Sequence, residues 1–363
     1  MDSQSKVAIS LAVLVALYSS FYLYLNSFKE GVHIETKKGC IPSNLPQFTT
    51  SCLKYRLHLL LSSLKRFIVD RPNRGIEKAI EKQEELSKSI SSTSTSSRKV
   101  IYFIRHGQSI WNMTFNYNSN IILILIRVVR LFLIETFISP TNDTCLYDSP
   151  LSMTGINQAL EMSKNICETE DPISDDLKVL SSNSGQTSVL FTSNLRRAQS
   201  TMLLALQDRL RLNNEKIEVC NELEELVPHP DCVSLSSTFQ ESTVPSLEVI
   251  IVPDKAKNYS RYLDYRIGTD VTKMAAYERM LAFNDLVFKR QESHIIICGH
   301  SRWIRSYLKC FLPKASNDHE FSRNKIGNLD TLRFELIRQE CSGGQAYYSV
   351  EPNSVKLVYK NTK

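Results

Sequence analysis

From about residue 99 onward, short apolar runs alternate along the chain with longer amphipathic stretches. The runs at 100–104, 188–193 and 294–298 are rich in β-branched and aromatic residues, which is typical of buried strands. The stretch 274–289 has helical periodicity instead. We predict an α/β fold, a three-layer α-β-α sandwich with a mostly parallel sheet. The tail, 331–337 and 346–359, predicts two further strands, plausible as an edge hairpin.

A second pattern precedes this domain. Residues 7–28 carry no charge, and as a helix they span roughly 30 Å, the thickness of the hydrocarbon core of a bilayer. A cleaved signal peptide is the alternative, but its apolar region is usually shorter and no Ala-x-Ala site follows. We predict an N-terminal transmembrane helix within an anchor at 1–28. One lysine precedes this segment, Lys6, and three follow it closely, Lys29, Lys37 and Lys38. Because positive charge tends to stay in the cytosol, this favours a single-pass protein with a cytosolic catalytic domain.

Residues 29–98 are predicted as a linker. It contains a basic amphipathic stretch at 53–68, which either lies on the membrane surface or packs on the folded domain. A charged helix at 77–88 and a Ser/Thr-rich tether at 89–97 follow. The tether predicts a domain boundary, so the catalytic domain is assigned to 99–363.

An insert at 113–147 interrupts the domain and has a strongly apolar centre. A second transmembrane helix is disfavoured, because Arg127 and Arg130 fall in mid-span, where each costs roughly 2.5–3.5 kcal/mol on insertion scales. A helix that crossed the bilayer here would also place the two halves of the domain on opposite sides of the membrane. We interpret the insert as an amphipathic lid over a pocket or as a flap that contacts the membrane.

Charge and cysteine content limit the partners and metal sites to be expected. The 363 residues carry a modest formal charge of +6, with much of the basic excess before residue 75, and no basic stripe interleaved with aromatics. This argues for anionic membranes or substrates and against a nucleic-acid partner. The nine cysteines show no C-x-x-C motif, so neither a zinc site nor a disulfide framework is predicted. We expect no metal and no cofactor.

Polar residues follow two of the apolar strands where each strand ends. Arg105, His106 and Gly107 follow the first, and Gly299 and His300 follow another. In an open α/β sheet the carboxyl ends of the strands are where ligands bind. An Arg fork matches phosphate oxygens, and a neighbouring His is a nucleophile or general base at neutral pH. The pattern indicates a phosphate site.

Five short blocks occur in order along the domain: 105–112 (RHGQSIWN), 148–159 (DSPLSMTGINQA), 193–201 (SNLRRAQST), 223–225 (LEE) and 299–300 (GH). Together they resemble the histidine phosphatase superfamily, also called phosphoglycerate-mutase-like, over residues 99 to about 310. Two positions depart from its usual pattern. Gln108 stands where Glu is usual, and Ser301 stands where Gly is usual.

The resemblance implies that His106 is the nucleophile and forms a phosphohistidine, with His300 as a second catalytic histidine. It implies that Glu225 donates a proton to the leaving alkoxide, although Glu222 and Glu224 compete for this role. Such a proton donor needs a carboxyl kept protonated by burial or by phosphate charge.

The resemblance also implies a substrate-binding set. Arg105 and Arg197, together with His300, hold the phosphoryl oxygens, and the match singles out Arg197 over Arg196. Asn112 hydrogen-bonds the transferred group, and Ser109 completes the set. The implied activity is hydrolysis of phosphate monoesters in a small molecule, lipid or protein. A mutase-type phosphotransferase and a catalytically inactive phospholigand adaptor are the alternatives.

Overall fold

The computed structural model describes residues 54, 56–64, 75–90, 96–116, 120–137, 143–168, 175–181, 185–235, 259–265, 274–316, 319–341 and 344–361. The predicted anchor at 1–28 and the first part of the predicted linker lie outside these residues. No helix within the described ranges has both the length and the apolar character needed to cross a membrane.

The described helices are α1 (56–64), α2 (Ile76–Lys88), α3 (Ile110–Phe115), α4 (Ile121–Phe137), α5 (Met153–Glu168), α6 (Asp175–Ser181), α7 (Arg196–Ala205), α8 (Gln207–Asn213), α9 (Ala276–Phe288), α10 (Ser301–Phe311) and α11 (Glu320–Arg323). The described strands are β1 (Ser97–Arg105), β2 (Ser188–Ser193), β3 (Ile217–Cys220), β4 (Leu263–Asp264), β5 (His294–Gly299), β6 (Thr331–Glu340), β7 (Ala346–Val350) and β8 (Lys356–Tyr359).

The strands form one mostly parallel sheet in the order β4-β3-β2-β5-β1-β6-β7, with β8 also paired to β6. The pairs from β4 to β1 are all parallel, and β6 runs antiparallel to β1, β7 and β8. The predicted α/β fold is therefore confirmed. Because β1 and β5 are parallel neighbours, with Arg105 opposite Gly299, the two segments that carry His106 and His300 leave the sheet side by side.

Both faces of the sheet are covered. On β1, Ile101 and Phe103 belong to one apolar core, whereas Tyr102 and Ile104 belong to another. Side chains alternate between the two faces of a strand, so these cores lie on opposite faces of the sheet. Helices α2, α9 and α10 contribute to the first core, and α5 to α8 contribute to the second. Three layers follow from this arrangement.

Two elements differ from their sequence-based prediction. Helix α2, predicted as a charged helix of the linker, has Ala79 in the first core, so the folded unit begins before the tether. The last predicted strand is divided into β7 and β8 by a 3-10 turn at Pro352, because proline has no N–H for the ladder.

The chain divides into two compact units, of which the larger comprises 58–113 and 143–363 and contains the whole sheet. The smaller unit includes most of the predicted insert, and its described part consists mainly of α4. On α4, Val128, Leu131 and Glu135 are buried, and Glu135 forms a buried ion pair with Arg56. Most of the other α4 side chains are large, apolar and exposed: Ile121, Ile122, Leu123, Leu125, Ile126, Val129 and Leu133.

Substitution of Gly155 is expected to destabilise the fold, because its surroundings leave no room for a Cβ. A Cβ at this position would overlap the Gln108 carbonyl oxygen and lie 2.9 Å from the Gln108 nitrogen. We expect Gly155→Ala to lower the free energy of unfolding by about 1–3 kcal/mol, because the backbone two residues after His106 has to shift. Urea denaturation measures this change. Met153→Ala, on the exposed start of the same helix, is the control, and equal stability of the two variants would contradict the prediction.

Candidate active site

His106 lies directly after the carboxyl end of β1. Its backbone N–H donates to Gly299 O at 3.0 Å, and Asn328 Nδ2 donates to His106 O at 2.7 Å. The imidazole is 4% exposed, and its centroid lies 5.0 Å from that of His300, with 56° between the ring planes. The two imidazoles that the sequence places 194 positions apart thus meet at one edge of the sheet.

A single hydrogen bond determines the tautomer of His106. Its Nδ1 lies 2.7 Å from Gly107 O. A carbonyl oxygen only accepts, so Nδ1 carries the hydrogen and Nε2 keeps its lone pair. Burial, together with the charges of Arg197 and Arg105, holds the pKa of His106 well below its usual value. The ring is therefore neutral at pH 7, and Nε2 is available as a nucleophile.

His300 is fully buried beside it. Its Nε2 hydrogen-bonds Ser193 Oγ at 2.8 Å, and its Nδ1 is buried with no hydrogen-bond partner among the described residues. Burial lowers the pKa of His300 well below its usual value, with Arg197 and His106 acting in the same direction. Ser193 comes from the end of β2, so three adjacent parallel strands position the two histidines.

Two buried arginines complete the cluster. Arg105 Nη1 donates to Ile326 O at 2.5 Å, and Arg197 Nη1 donates to Asp231 O at 2.6 Å. Both Nε atoms are buried with no hydrogen-bond partner within the described part of the chain. Burial lowers the pKa of Arg105 to about 10, which still leaves it charged at pH 7. Buried polar groups are normally hydrogen-bonded, so unsatisfied donors beside two histidines suit an anion.

The two consecutive arginines of α7 have different surroundings. Arg196 is committed to the framework: its Nη1 lies 2.6 Å from Asp143 Oδ1, and its backbone N–H donates to Asp148 Oδ1 at 2.8 Å. Arg197 instead lies close enough to both His106 and His300 to lower their pKa values. The contact of Arg197 with a phosphoryl group stays a prediction.

Glu225 lies next to the start of α10. Its Oε1 accepts the backbone N–H groups of Leu226 at 2.9 Å and Trp303 at 3.1 Å, and its Oε2 accepts that of Arg302 at 3.4 Å. The side chain is 7% exposed and interacts electrostatically with Arg105. It is thus one of the carboxyl groups beside the cluster; Asp231 is another, with its Oδ2 3.5 Å from Arg197 Nη1.

Ser109 and Asn112 lie at the first turn of α3. Ser109 is fully buried, and its Oγ accepts the Asn112 backbone N–H at 3.1 Å, as a helix N-cap does. The Asn112 side chain is partly buried. Their contact with substrate stays a prediction.

Sequence reasoning missed two residues of this region. Lys325 lies in the loop before β6, and burial of its ammonium group together with the charge of Arg105 lowers its pKa to about 8. His229 has its ring centroid 6.0 Å from that of Trp111, and its pKa is lowered by burial. Both lie outside the five blocks, so only tertiary structure shows that they are near the site.

In the parts of the chain that the structure describes, no group of three or more His, Cys, Asp or Glu side chains is arranged to hold a metal ion.

Solved structures similar to this chain include three phosphatases. A phosphoserine phosphatase mutant from Entamoeba histolytica, in complex with phosphoserine, matches at 13% identity and a TM-score of 0.34, covering 73% of this chain and 97% of that one. A putative alpha-ribazole-5'-P phosphatase from Escherichia coli matches at 14% identity and a TM-score of 0.34, covering 73% and 99%. A mycobacterial glucosyl-3-phosphoglycerate phosphatase matches at 14% and 0.36, covering 73% and 100%.

These three structures are phosphatases by the names they carry. Similarities of this size carry no further argument about this chain. No protein-family model and no curated protein matches it.

The neutral, buried histidines predict a stability that depends on pH. In the unfolded chain a histidine binds its proton near pH 6.5, whereas His106 and His300 bind theirs only at lower pH when folded. The unfolded state therefore takes up more protons below pH 6.5. We expect the free energy of unfolding to fall by up to about 1.4 kcal/mol per pH unit for each histidine as the pH falls from 6.5.

Urea denaturation at pH 7, 6 and 5 measures this slope in the wild type and in His106→Asn. Burial raises the pKa of Asp148 to about 6 and so stabilises the fold as the pH falls, but this contribution is common to both proteins. The variant should show the shallower slope. Identical slopes would contradict the assignment of His106 as a buried neutral imidazole.

Proposed function

We propose that the chain is a membrane-anchored phosphatase of the histidine phosphatase type, which hydrolyses phosphate monoesters through a phosphohistidine on His106. One observation carries this proposal. Two neutral, buried imidazoles lie 5.0 Å apart, beside the buried guanidinium groups of Arg105 and Arg197. The cluster combines a nucleophilic nitrogen with positive charge that matches a phosphoryl group.

In the first step the lone pair of His106 Nε2 attacks phosphorus, and the bond between phosphorus and the leaving oxygen breaks. The Nδ1–H bond to Gly107 O keeps the lone pair on Nε2 and stabilises the positive charge that the ring acquires. Arg105, Arg197 and His300 hold the three equatorial oxygens, where the transition state spreads its charge. The Nδ1 of His300 is the atom of that ring left to contact the phosphoryl group.

Glu225 serves the leaving group. In its protonated form it passes a proton to the departing alkoxide, and the resulting carboxylate then takes a proton from the water that attacks the phosphohistidine. Its backbone hydrogen bonds to Leu226, Arg302 and Trp303 fix the position of the carboxyl. The substrate is a phosphorylated small molecule, lipid or protein.

The anchor part of the proposal rests on two features. Residues 7–28 contain no charge over a length that matches the hydrocarbon core. The exposed apolar residues of α4 are unfavourable in water, and a lipid surface would cover them. Both features favour a chain held at a membrane. The excess of lysines after the segment, at 29, 37 and 38 against Lys6 before it, favours a cytosolic catalytic domain.

Removal of the nucleophile tests the catalytic proposal. We expect His106→Ala to lower the kcat for an aryl phosphate by at least about 10³-fold and to abolish acid-labile, alkali-stable labelling by radioactive phosphate. His294→Ala, at the opposite end of β5, is the matched histidine control and should retain both. Equal rates in wild type and His106→Ala would refute the mechanism. Phosphate binding without a phosphohistidine would favour the adaptor, and transfer to an acceptor alcohol would favour the mutase.

Charges in the apolar segment test the anchor. We expect Leu14→Arg/Leu17→Arg to release the full chain from membranes washed with alkaline carbonate, because each arginine costs about 2.5–3.5 kcal/mol at the centre of a span. Thr36→Arg/Gln47→Arg adds the same charge to the linker and should leave the protein in the membrane fraction. Retention of both variants, or release of the wild type, would contradict the anchor.

A further inference from the structure

A cavity of about 670 Å³ lies between the start of α2 and the first turns of α10. Its lining is strongly cationic. Arg302, Arg305 and Lys309 line it from α10, and Lys78 lines it from α2, against a single carboxylate from Glu77. Four positive charges and one negative charge around one concave space favour an anionic ligand.

The three cations of α10 lie on one face of the helix, because they are spaced by three and four residues. At 1.5 Å per residue they extend over roughly 10 Å along the helix axis. The Nε of Arg305 is buried with no hydrogen-bond partner among the described residues, and its Nη1 donates to Arg323 O at 3.3 Å. Among the described residues the Arg305 guanidinium makes this one hydrogen bond, which leaves donors for a ligand.

Helix α10 connects this cavity to the catalytic cluster. The helix begins immediately after His300, and the backbone N–H of Arg302 donates to Glu225 Oε2 at 3.4 Å. Arg302 therefore belongs to both places: its backbone contacts the proposed proton donor, and the residue lines the cavity. Arg305, which also lines the cavity, lies close enough to Glu225 and Arg105 to interact electrostatically with both.

A second segment, residues 322–328, also extends from the cavity to the catalytic cluster. Ser322 lines the cavity, and the next residue, Arg323, accepts the hydrogen bond from Arg305. Three residues further on, Ile326 O accepts the Nη1 of Arg105, and Asn328 then donates to His106 O. Two independent segments thus join the cavity to the nucleophile within a few residues.

We propose that this cavity is a subsite for a second anionic group, a phosphate or a carboxylate, carried by the alcohol of the substrate. The inference rests on the proposed function and names its substrate class: phosphate monoesters whose leaving group carries another anion. The scissile phosphate occupies the cluster around His106, and the alcohol extends past Glu225 towards Arg302 and Arg305. The planar fork of Arg305 suits oxyanions, and Lys309 adds charge at the far end.

A length series tests the subsite with the full chain. The substrates are α,ω-alkanediol bisphosphates with three to eight carbons, ω-phosphoalkanoic acids of the same lengths, and the matching alkyl monophosphates. We expect kcat/KM for a dianion of suitable length to exceed that of its matched monophosphate by at least about 10-fold, as one charge-assisted hydrogen bond provides. The first two series distinguish a second phosphate from a carboxylate.

Arg305→Gln should lower that ratio to near one, through KM rather than kcat. Arg211→Gln removes an exposed arginine of α8, on the opposite face of the sheet, and should leave the ratio unchanged. If the wild type shows no preference for dianions at any length, or if Arg305→Gln lowers both rates equally, the subsite is refuted while His106-dependent turnover of monophosphates still stands. If no monophosphate is turned over, the proposed function itself fails.

Discussion

The whole site depends on the parallel pairing of β1 with β5. With Arg105 opposite Gly299, the residue after each strand is a histidine, and the centroids of the two rings lie 5.0 Å apart. Both strands are buried on both faces. A shift by one residue would exchange Ile101 and Phe103 in one core with Tyr102 and Ile104 in the other, which the close packing of both cores disfavours. The same packing that stabilises the sheet therefore sets the distance between the two imidazoles.

Hydrogen bonds between the sequence blocks hold the segments around this pair. Ser152 donates to Gln108, both from its backbone N–H at 2.8 Å and from its hydroxyl at 2.8 Å to the side-chain oxygen. Gly107 N–H donates to Thr201 Oγ1 at 2.9 Å, and that hydroxyl donates to Arg197 O at 2.7 Å. Much of each block is thus framework. The acceptor role of Gln108 Oε1 is one that a glutamate also performs, which explains how the departure at this position is accommodated.

The sheet and the central residues could be predicted from sequence because their signals are local. Apolar runs mark the strands, and the Arg-His-Gly and Gly-His breaks mark where β1 and β5 end. Ala79 had no comparable signal: α2 reads as a charged helix, and only its packing within the core shows why it is needed. Lys325 likewise comes near Arg105 only through the folded position of the loop before β6. The resemblance pointed to Arg197 rather than Arg196. Both arginines form buried ion pairs, with Asp231 and Asp143 respectively, and only the fold places Arg197 near the two histidines.

Electrostatics unites the site with the cavity beside it. Nearby carboxylates offset part of the charge of the buried arginines: Asp231 Oδ2 lies 3.5 Å from Arg197 Nη1, and Glu225 interacts with Arg105. Burial, together with the remaining positive charge, lowers the pKa of both histidines and keeps the rings neutral. A bound phosphate reverses this balance, because its charge favours protonation of His300. Lys325, Arg302 and Arg305 extend the same positive field away from His106. A substrate with a single phosphate compensates only the inner part of that field, and one with a second anion compensates both.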